Sequence, residues 1–170
     1  MIETERLLLR PWRHEDRAPM AAMLADPEVM WDYERLFDRS ESDSRIERYH
    51  DAYLRLGYGR LPVRDKRSGE FLGYCGVMPI IDGHPMAPGV EIGWRFTRAA
   101  WGNGYATESG RACLHQGFEK CGLSEVLSYT RNDNTRSENV MKRLGLTFLP
   151  DRFWTHEGRR YVVYIARANA

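Results

Sequence analysis

The sequence predicts a mixed α/β sheet with a central parallel β-α-β unit and flanking helices, and three observations carry that expectation. Strand-like and helix-like segments follow in the order β-α-α-β-β-β-α-β-α-β-β, an alternation that one sheet covered by helices satisfies. VEIGWRF (residues 90–96) and SEVLSYTR (residues 124–131) bracket a helical stretch. Strands joined in this way run parallel through a right-handed crossover. Two further strand pairs meet at the short polar turns KRSG and HEGR, which read as hairpins.

Taken in order, RLLLRPW (residues 6–12) is a first strand that Pro11 pushes toward an edge. Residues 14–25 have a helical pattern that Asp26-Pro27 stops. In SESDSRIERYHDAYLRLG, Ser40 stands as a cap with Asp43 three residues on. Ile46, Tyr49, His50, Tyr53 and Leu54 follow at helical spacing, and Gly57 closes the helix. Strands over residues 60–65 and 70–81 flank KRSG, and the loop DGHPMAPG leads to strand 90–96. A helix over residues 105–121 ends at Gly122, strand 124–131 follows, and a short helix over residues 135–144 ends at Gly145. The tail segments LTFLPDRFW and RRYVVYIAR close the sheet as the second hairpin.

Bulk properties exclude several classes. The chain has 170 residues and a formal net charge of +1, so one ordinary core is expected over residues 1–170. The charge gives no ground for a nucleic-acid or membrane partner. No apolar run reaches membrane-spanning length, and the acids ahead of the first apolar run do not suit a signal peptide. Cys75, Cys113 and Cys121 form no CxxC pair, which suits free thiols and a cytoplasmic setting. Cys113 and Cys121, eight apart on one helix, read as core residues. The five histidines form no ligand cluster, so no metal is expected.

The chemistry concentrates in WGNGYATES (residues 101–109). Gly102, Gly104 and Ala106 fall where a helix begins, and a helix N-terminus with closely approachable backbone is an anion site. The plainer alternative is a helix entry that needs glycine only for packing. A dinucleotide fingerprint lacks its third glycine, since Thr107 stands there, and no G-K-[ST] follows.

The wider segment VEIGWRFTRAAWGNGYATES (residues 90–109) resembles the acetyl-coenzyme-A motif of the GNAT acyltransferase superfamily. NTRSENVMKRLGL (residues 134–146) resembles its second signature. The tryptophan ahead of G-x-G-Y-A-T-E, the N-x-x-S opening of the next helix, TERLLLRPW and FLGYCGVMPI are similar to the branch of ribosomal-protein N-terminal acetyltransferases. The resemblance implies a GNAT-like, mostly antiparallel sheet around the parallel unit, with acetyl-CoA as cosubstrate. It implies coenzyme contacts from Trp94, Phe96, Trp101, Gly102, Asn103, Gly104, Tyr105, Ala106, Thr107, Asn134 and Ser137. The acceptor is expected to be a primary amine of a small molecule or peptide N-terminus, and the chain a monomer or homodimer.

Acetyl transfer from a thioester to an amine needs a neutral amine, a polarised carbonyl and a proton for the leaving thiolate. A lysine amine, with a pKa of about 10.4, is roughly 0.1% neutral near neutrality, whereas an α-amine with a pKa of about 8 costs far less to deprotonate. Glu91, on the central strand, is the candidate base; an ion pair with a neighbouring strand is its alternative role. Glu108 reads as an ordinary acid in a helix's first turn. Many superfamily members supply the thiolate proton from a tyrosine at the position held here by Met141, which leaves a non-catalytic acyl-CoA-binding module as the competing reading. Ser137 is the replacement acid the branch suggests, with helix capping as its alternative and Asn134 or Thr135 as the cap. By the same resemblance the acceptor pocket falls between residues 27–39 and 153–159. Trp31, Tyr33, Phe37 and Trp154 are to enclose the acceptor, and Asp32, Glu34 and Glu157 to attract its amine.

Overall fold

A computed structural model describes residues 1–33 and 35–168. Its eight-stranded sheet has the order β1-β2-β3-β4-β5-β6-β8-β7. The strands are β1 (Ile2–Glu3), β2 (Leu7–Leu9), β3 (Arg60–Asp65), β4 (Phe71–Pro79), β5 (Val90–Phe96), β6 (Glu125–Arg131), β7 (Thr147–His156) and β8 (Arg159–Arg167). Every neighbouring pair is antiparallel except β5 and β6. The helices are α1 (Arg17–Leu24), α2 (Arg39–Leu56), α3 (Tyr105–Cys121) and α4 (Thr135–Arg143). The expected mixed sheet, its parallel unit and the bounds of β5 and α3 are all present.

Three local expectations need correction. The first strand is shorter than residues 6–12, and β1 lies outside it, so β2 is one strand in from the edge. Residues 14–25 divide into a 3-10 turn over His14–Asp16 and then α1. Helix α2 starts earlier than Ser40, because Asp38 and Glu41 form a reciprocal capping box. Asp38 Oδ1 accepts from the Glu41 amide at 2.8 Å, and Glu41 Oε2 accepts from the Asp38 amide at 2.9 Å. The buried face of α2 carries Ser42, Ile46, Tyr49 and Ala52, whereas Leu54 is 68% exposed. Gly57 ends the helix in the left-handed region, as expected.

Helices cover both faces of the sheet, which explains why β4 is buried from Phe71 to Met78. Leu72, Cys75 and Val77 pack with Cys113 and Leu114 of α3 and Met141 of α4. Phe71, Tyr74 and Met78 pack on the other side with Met20 of α1 and Ile46 and Tyr49 of α2. Cys113 is a core residue, but Cys121, at the end of α3, is only half-buried.

A carboxylate is sealed into this fold. Asp16 is fully buried and accepts from Arg10 at 2.7 and 3.2 Å, from Arg64 at 3.1 Å and from the Arg13 amide at 2.8 Å. Two guanidiniums thus share one carboxylate; Arg10 also reaches the more exposed Glu15 at 2.8 Å, whereas Asp16 is the carboxylate that Arg64 meets. Removing one partner of a buried pair leaves charge uncompensated. Asp16→Ala is expected to destabilise the protein by about 3–5 kcal/mol, seen as a lower urea midpoint with an unchanged slope.

Candidate active site

The site begins where β5 and β6 stop pairing. Their ladder holds one pair, Glu91 opposite Leu127, against seven between β4 and β5. Just beyond it, Ser128 Oγ donates to the Ile92 carbonyl at 3.1 Å. The alternation of a strand turns Trp94's main-chain N–H and C=O to the same side as that carbonyl. The strands enclose a cleft of about 1640 Å³ whose walls include Glu91, Trp94, Phe96, Ser128 and Tyr129.

At the mouth of the cleft lies the glycine loop. Gly102 and Gly104 have φ of +77° and +80°, a region costly for residues with a Cβ. Gly104 caps α3 and its carbonyl accepts from the Thr107 and Glu108 amides at 3.1 and 3.0 Å. The N–H groups ahead of these face the helix mouth. A Cβ on Gly102 would meet no protein atom within 4 Å, and one on Gly104 only Arg6 Nη2 at 3.7 Å. The space over the loop is open, as an anion cradle requires. Trp101 pins the loop to β5 by donating from Nε1 to the Phe96 carbonyl at 3.0 Å, and Arg136 lies 4.6 Å over its ring. Asn103 braces the loop from within, with Nδ2 donating to the Ala100 and Trp101 carbonyls. Tyr105, Ala106 and Thr107 line the cleft.

Opposite the loop stands a charged cluster. Arg60 Nη2 donates to Glu91 Oε1 at 2.7 Å, with both side chains largely buried. Arg60 Nη1 also reaches the Tyr49 hydroxyl at 3.2 Å. A Cβ on Gly93 would fall 2.5 Å from Arg60 Nη2. Gly93 is therefore the flat floor on which the guanidinium lies, and a side chain there would expel it. Tyr129 faces the same carboxylate; burial first, and then Glu91, push its hydroxyl well above the ordinary tyrosine range, so it stays a donor. His84 stacks on Tyr129 with centroids 4.7 Å apart, and burial lowers its pKa against the opposing pull of Glu91.

Residues 6–147 match the Acetyltransferase (GNAT) domain. The chain belongs to the GNAT acetyltransferase family. It is 33% identical over 149 residues to the uncharacterized protein YkkB of Bacillus subtilis, across 86% of this chain and 85% of that protein. It is 30% identical over 161 residues to FsC-acetyl coenzyme A-N(2)-transacetylase of Aspergillus fumigatus, across 89% of this chain and 67% of that one. The crystal structure of an acetyltransferase from Agrobacterium tumefaciens aligns with a TM-score of 0.83 at 25% identity, covering 98% of this chain and 94% of that chain. The protein is thus a GNAT N-acetyltransferase that draws on acetyl-CoA. Among the described residues no helix is long and apolar enough to cross a membrane.

The other expected site residues are distributed unevenly around this GNAT cleft. Asn134 caps α4, its Oδ1 accepting from the Ser137 amide at 3.1 Å, and both residues line the cleft. Met141 is fully buried in the core. Glu108 is more than a dipole partner: it accepts from the Thr4 hydroxyl, the Arg6 amide and the Arg6 guanidinium, tying the first strands to α3. Trp31 and Tyr33 are partly exposed on the rim, and Trp154 stacks on Tyr161 at 4.7 Å. Phe37 lies in the α1–α2 core and supports Tyr33 from behind, with centroids 5.6 Å apart. Asp32 is already paired with Arg95 through bonds of 2.8 and 3.1 Å. Glu34 lies outside the described residues.

Sequence reasoning passed over Arg45, Arg48, Arg60, Arg95 and the buried Tyr49. The signal that pointed to Arg60 was Gly93, since a glycine inside a strand marks close approach. Burial raises the Tyr49 pKa, but Arg60, Arg45 and Arg48 outweigh it and bring the hydroxyl down to about 7. Below that value the folded protein holds the proton, as the unfolded chain does. Between about 7 and the ordinary value of 10 only the unfolded chain holds it. Unfolding free energy therefore rises with pH across that window, and the contribution is lost as pH falls through 7. Tyr49→Phe should lack both this rise and a tyrosinate absorbance transition near pH 7.

Proposed function

We propose that the protein moves an acetyl group directly from acetyl-CoA to the primary amine of a peptide N-terminus or small molecule, with no acyl-enzyme. The observation that carries this reading is Glu91 at the apex of the β5–β6 split, opposite the open glycine loop. The loop amides of residues 102–107 and Asn134 would bind the coenzyme phosphates and the adjoining arm. The cleft-facing main chain of Trp94 would hydrogen-bond the extended amide arm. Trp101 and Asn103 would hold the loop, while Trp94 and Phe96 would supply the apolar wall. Membership of the branch that includes ribosomal-protein N-terminal acetyltransferases rests on the tryptophan-led loop and the N-x-x-S opening of α4. The same reading treats residues 1–170 as a single domain, monomeric or homodimeric, with neither nucleic acid nor membrane as partner.

In the reaction, Glu91 takes a proton from the incoming ammonium, directly or through water. The neutral amine adds to the thioester carbonyl, the C–S bond breaks, the thiolate takes a proton from Ser137 Oγ, the serine oxygen recovers one from the acylated nitrogen, and Glu91 returns its proton to water. Arg60 keeps the Glu91 carboxylate in place and Tyr129 donates toward it. Ser137 is assigned the acid because Met141 is buried away from the cleft and carries no proton to give.

Thiol release from acetyl-CoA with a panel of primary amines tests the activity. Glu91→Gln is expected to lower kcat by roughly 100-fold or more and to remove the acidic limb of the pH–rate profile. Acetyl-CoA affinity should be unaffected. A full rate with an unchanged profile would leave Glu91 as Arg60's counterion alone. Ser137→Ala should slow kcat by about 10–100-fold; a rate close to that of the parent would reassign Ser137 to helix capping.

A further inference from the structure

The acceptor end of the cleft carries more positive charge than amine binding calls for. Nine arginines and four carboxylates line the cleft among the described residues. Beside Glu91 and Asp32 stand Arg45, Arg48, Arg60 and Arg95. Glu91 answers Arg60 at 2.7 Å, and Asp32 answers Arg95 at 2.8 Å. Arg45 and Arg48 form no salt bridge among the described residues: Arg45 feels the Glu41 carboxylate one turn before it, which is already bonded to Arg35, and hydrogen-bonds the Tyr49 hydroxyl. Their neighbours are aromatic instead: Arg45 lies 4.0 Å over Phe37 and 5.7 Å from the Tyr33 ring, and Arg48 lies 5.3 Å from the Tyr49 ring.

Such an arrangement repels a second cation. A polyamine bound with one amine at Glu91 would place another ammonium against two guanidiniums held in no salt bridge, with like charges opposed in a partly desolvated site. It favours an oxyanion, for which the planar fork of arginine is the matching donor set. The aromatic faces hold the guanidiniums in place and lower the entropy lost on binding.

On the acetyl-transfer reading above, we infer that the acceptor is a short amine bearing a carboxylate or phosphate at its far end, with Arg45 and Arg48 binding that oxyanion while the amine meets Glu91. The separation fits a small molecule. The guanidinium carbons of Arg48 and Arg60 stand 5.3 and 5.5 Å from the centroid of the one Tyr49 ring. The two guanidinium carbons therefore lie within about 11 Å of each other, a span that a short molecule bridges. An acceptor of this kind differs from the cationic one that acidic residues are expected to draw in, since Asp32, one of those acids, is paired with Arg95.

The test compares putrescine, butylamine, γ-aminobutyrate and aminopropyl phosphate as acceptors at saturating acetyl-CoA. At least one of the two anionic amines should show kcat/KM about tenfold or more above butylamine, with putrescine lowest. The two anionic arms decide between carboxylate and phosphate. Arg45→Gln and Arg48→Gln should each lower that preference, the double variant should erase it, and Arg45→Lys should restore part, since it keeps the charge without the fork. Arg48 is exposed, so Arg48→Gln tests the site even where Arg45→Gln folds poorly. Preferred turnover of putrescine, or a preference that survives the double variant, would overturn the inference. If no amine releases thiol although acetyl-CoA binds, the acetyl-transfer reading itself fails. Calorimetry of the two anionic amines into CoA-loaded protein then decides the pocket: binding lost in the double variant upholds the oxyanion site, and no binding in the parent overturns it.

Discussion

The loss of pairing between β5 and β6 beyond Glu91 and Leu127 sets out almost everything else in this molecule. A parallel pair that continued would spend the main-chain groups of Trp94 on Tyr129 and its neighbours and leave no cleft. Because it stops, one strand presents an unspent edge, the helix that follows it presents its N-terminus, and a carboxylate sits at the fork. The flanking architecture holds that fork open. The sheet is sealed on both faces by α1–α2 and α3–α4, so β4 and β5 form a stiff base with seven paired residues. The crossover helix α3 links the two diverging strands.

The two ends of the cleft use different chemistry. At the end proposed for the coenzyme the groups on offer are main-chain amides, and the side chains around them act as braces. Trp101 reaches back to Phe96, Asn103 to Ala100 and Trp101, and Asn134 to Ser137. At the end proposed for the acceptor the groups on offer are side chains that depend on one another. Arg60 needs Gly93 for room, Glu91 for charge and Tyr49 as a second acceptor. Trp12 Nε1 donates to the Arg60 carbonyl at 2.7 Å, so even the strand that delivers this arginine is anchored from the core. Change at one of these positions is transmitted to the others, because a buried charge without its partner is expensive.

The sequence disclosed these two ends unequally. The bounds of β5 and α3 were readable because a strand of mixed apolar residues, a glycine turn and a long amphipathic segment are local patterns. The Asp38–Glu41 cap was equally local, yet Ser40 with Asp43 offered a competing box two residues on. In α2, Arg45 and Arg48 flank Tyr49 just as solvated arginines flank the apolar stripe of any amphipathic helix. Only the packing of α2 over Tyr74 and the β3–β4 pair turns them toward the cleft. The Arg10–Asp16–Arg64 group was silent for the same reason: its third member arrives from a strand 48 residues away.

That difference in legibility follows from what each end is proposed to bind. A phosphate-bearing coenzyme common to many enzymes is held by backbone, and backbone tolerates little beyond glycine or alanine where φ is positive or approach is close. The constraint is therefore written in residue identity at fixed spacing, as in Gly102, Gly104 and Ala106. An acceptor is distinguished by charge and shape, and these come from side chains on α2, β3 and β5 that meet only after folding. Four arginines from three separate elements, two in salt bridges with carboxylates and two packed on aromatic rings, have no common spacing to read. What the chain spells out locally is the loop proposed for the shared donor; what it withholds until folded is the charged end proposed for the acceptor, where specificity would reside.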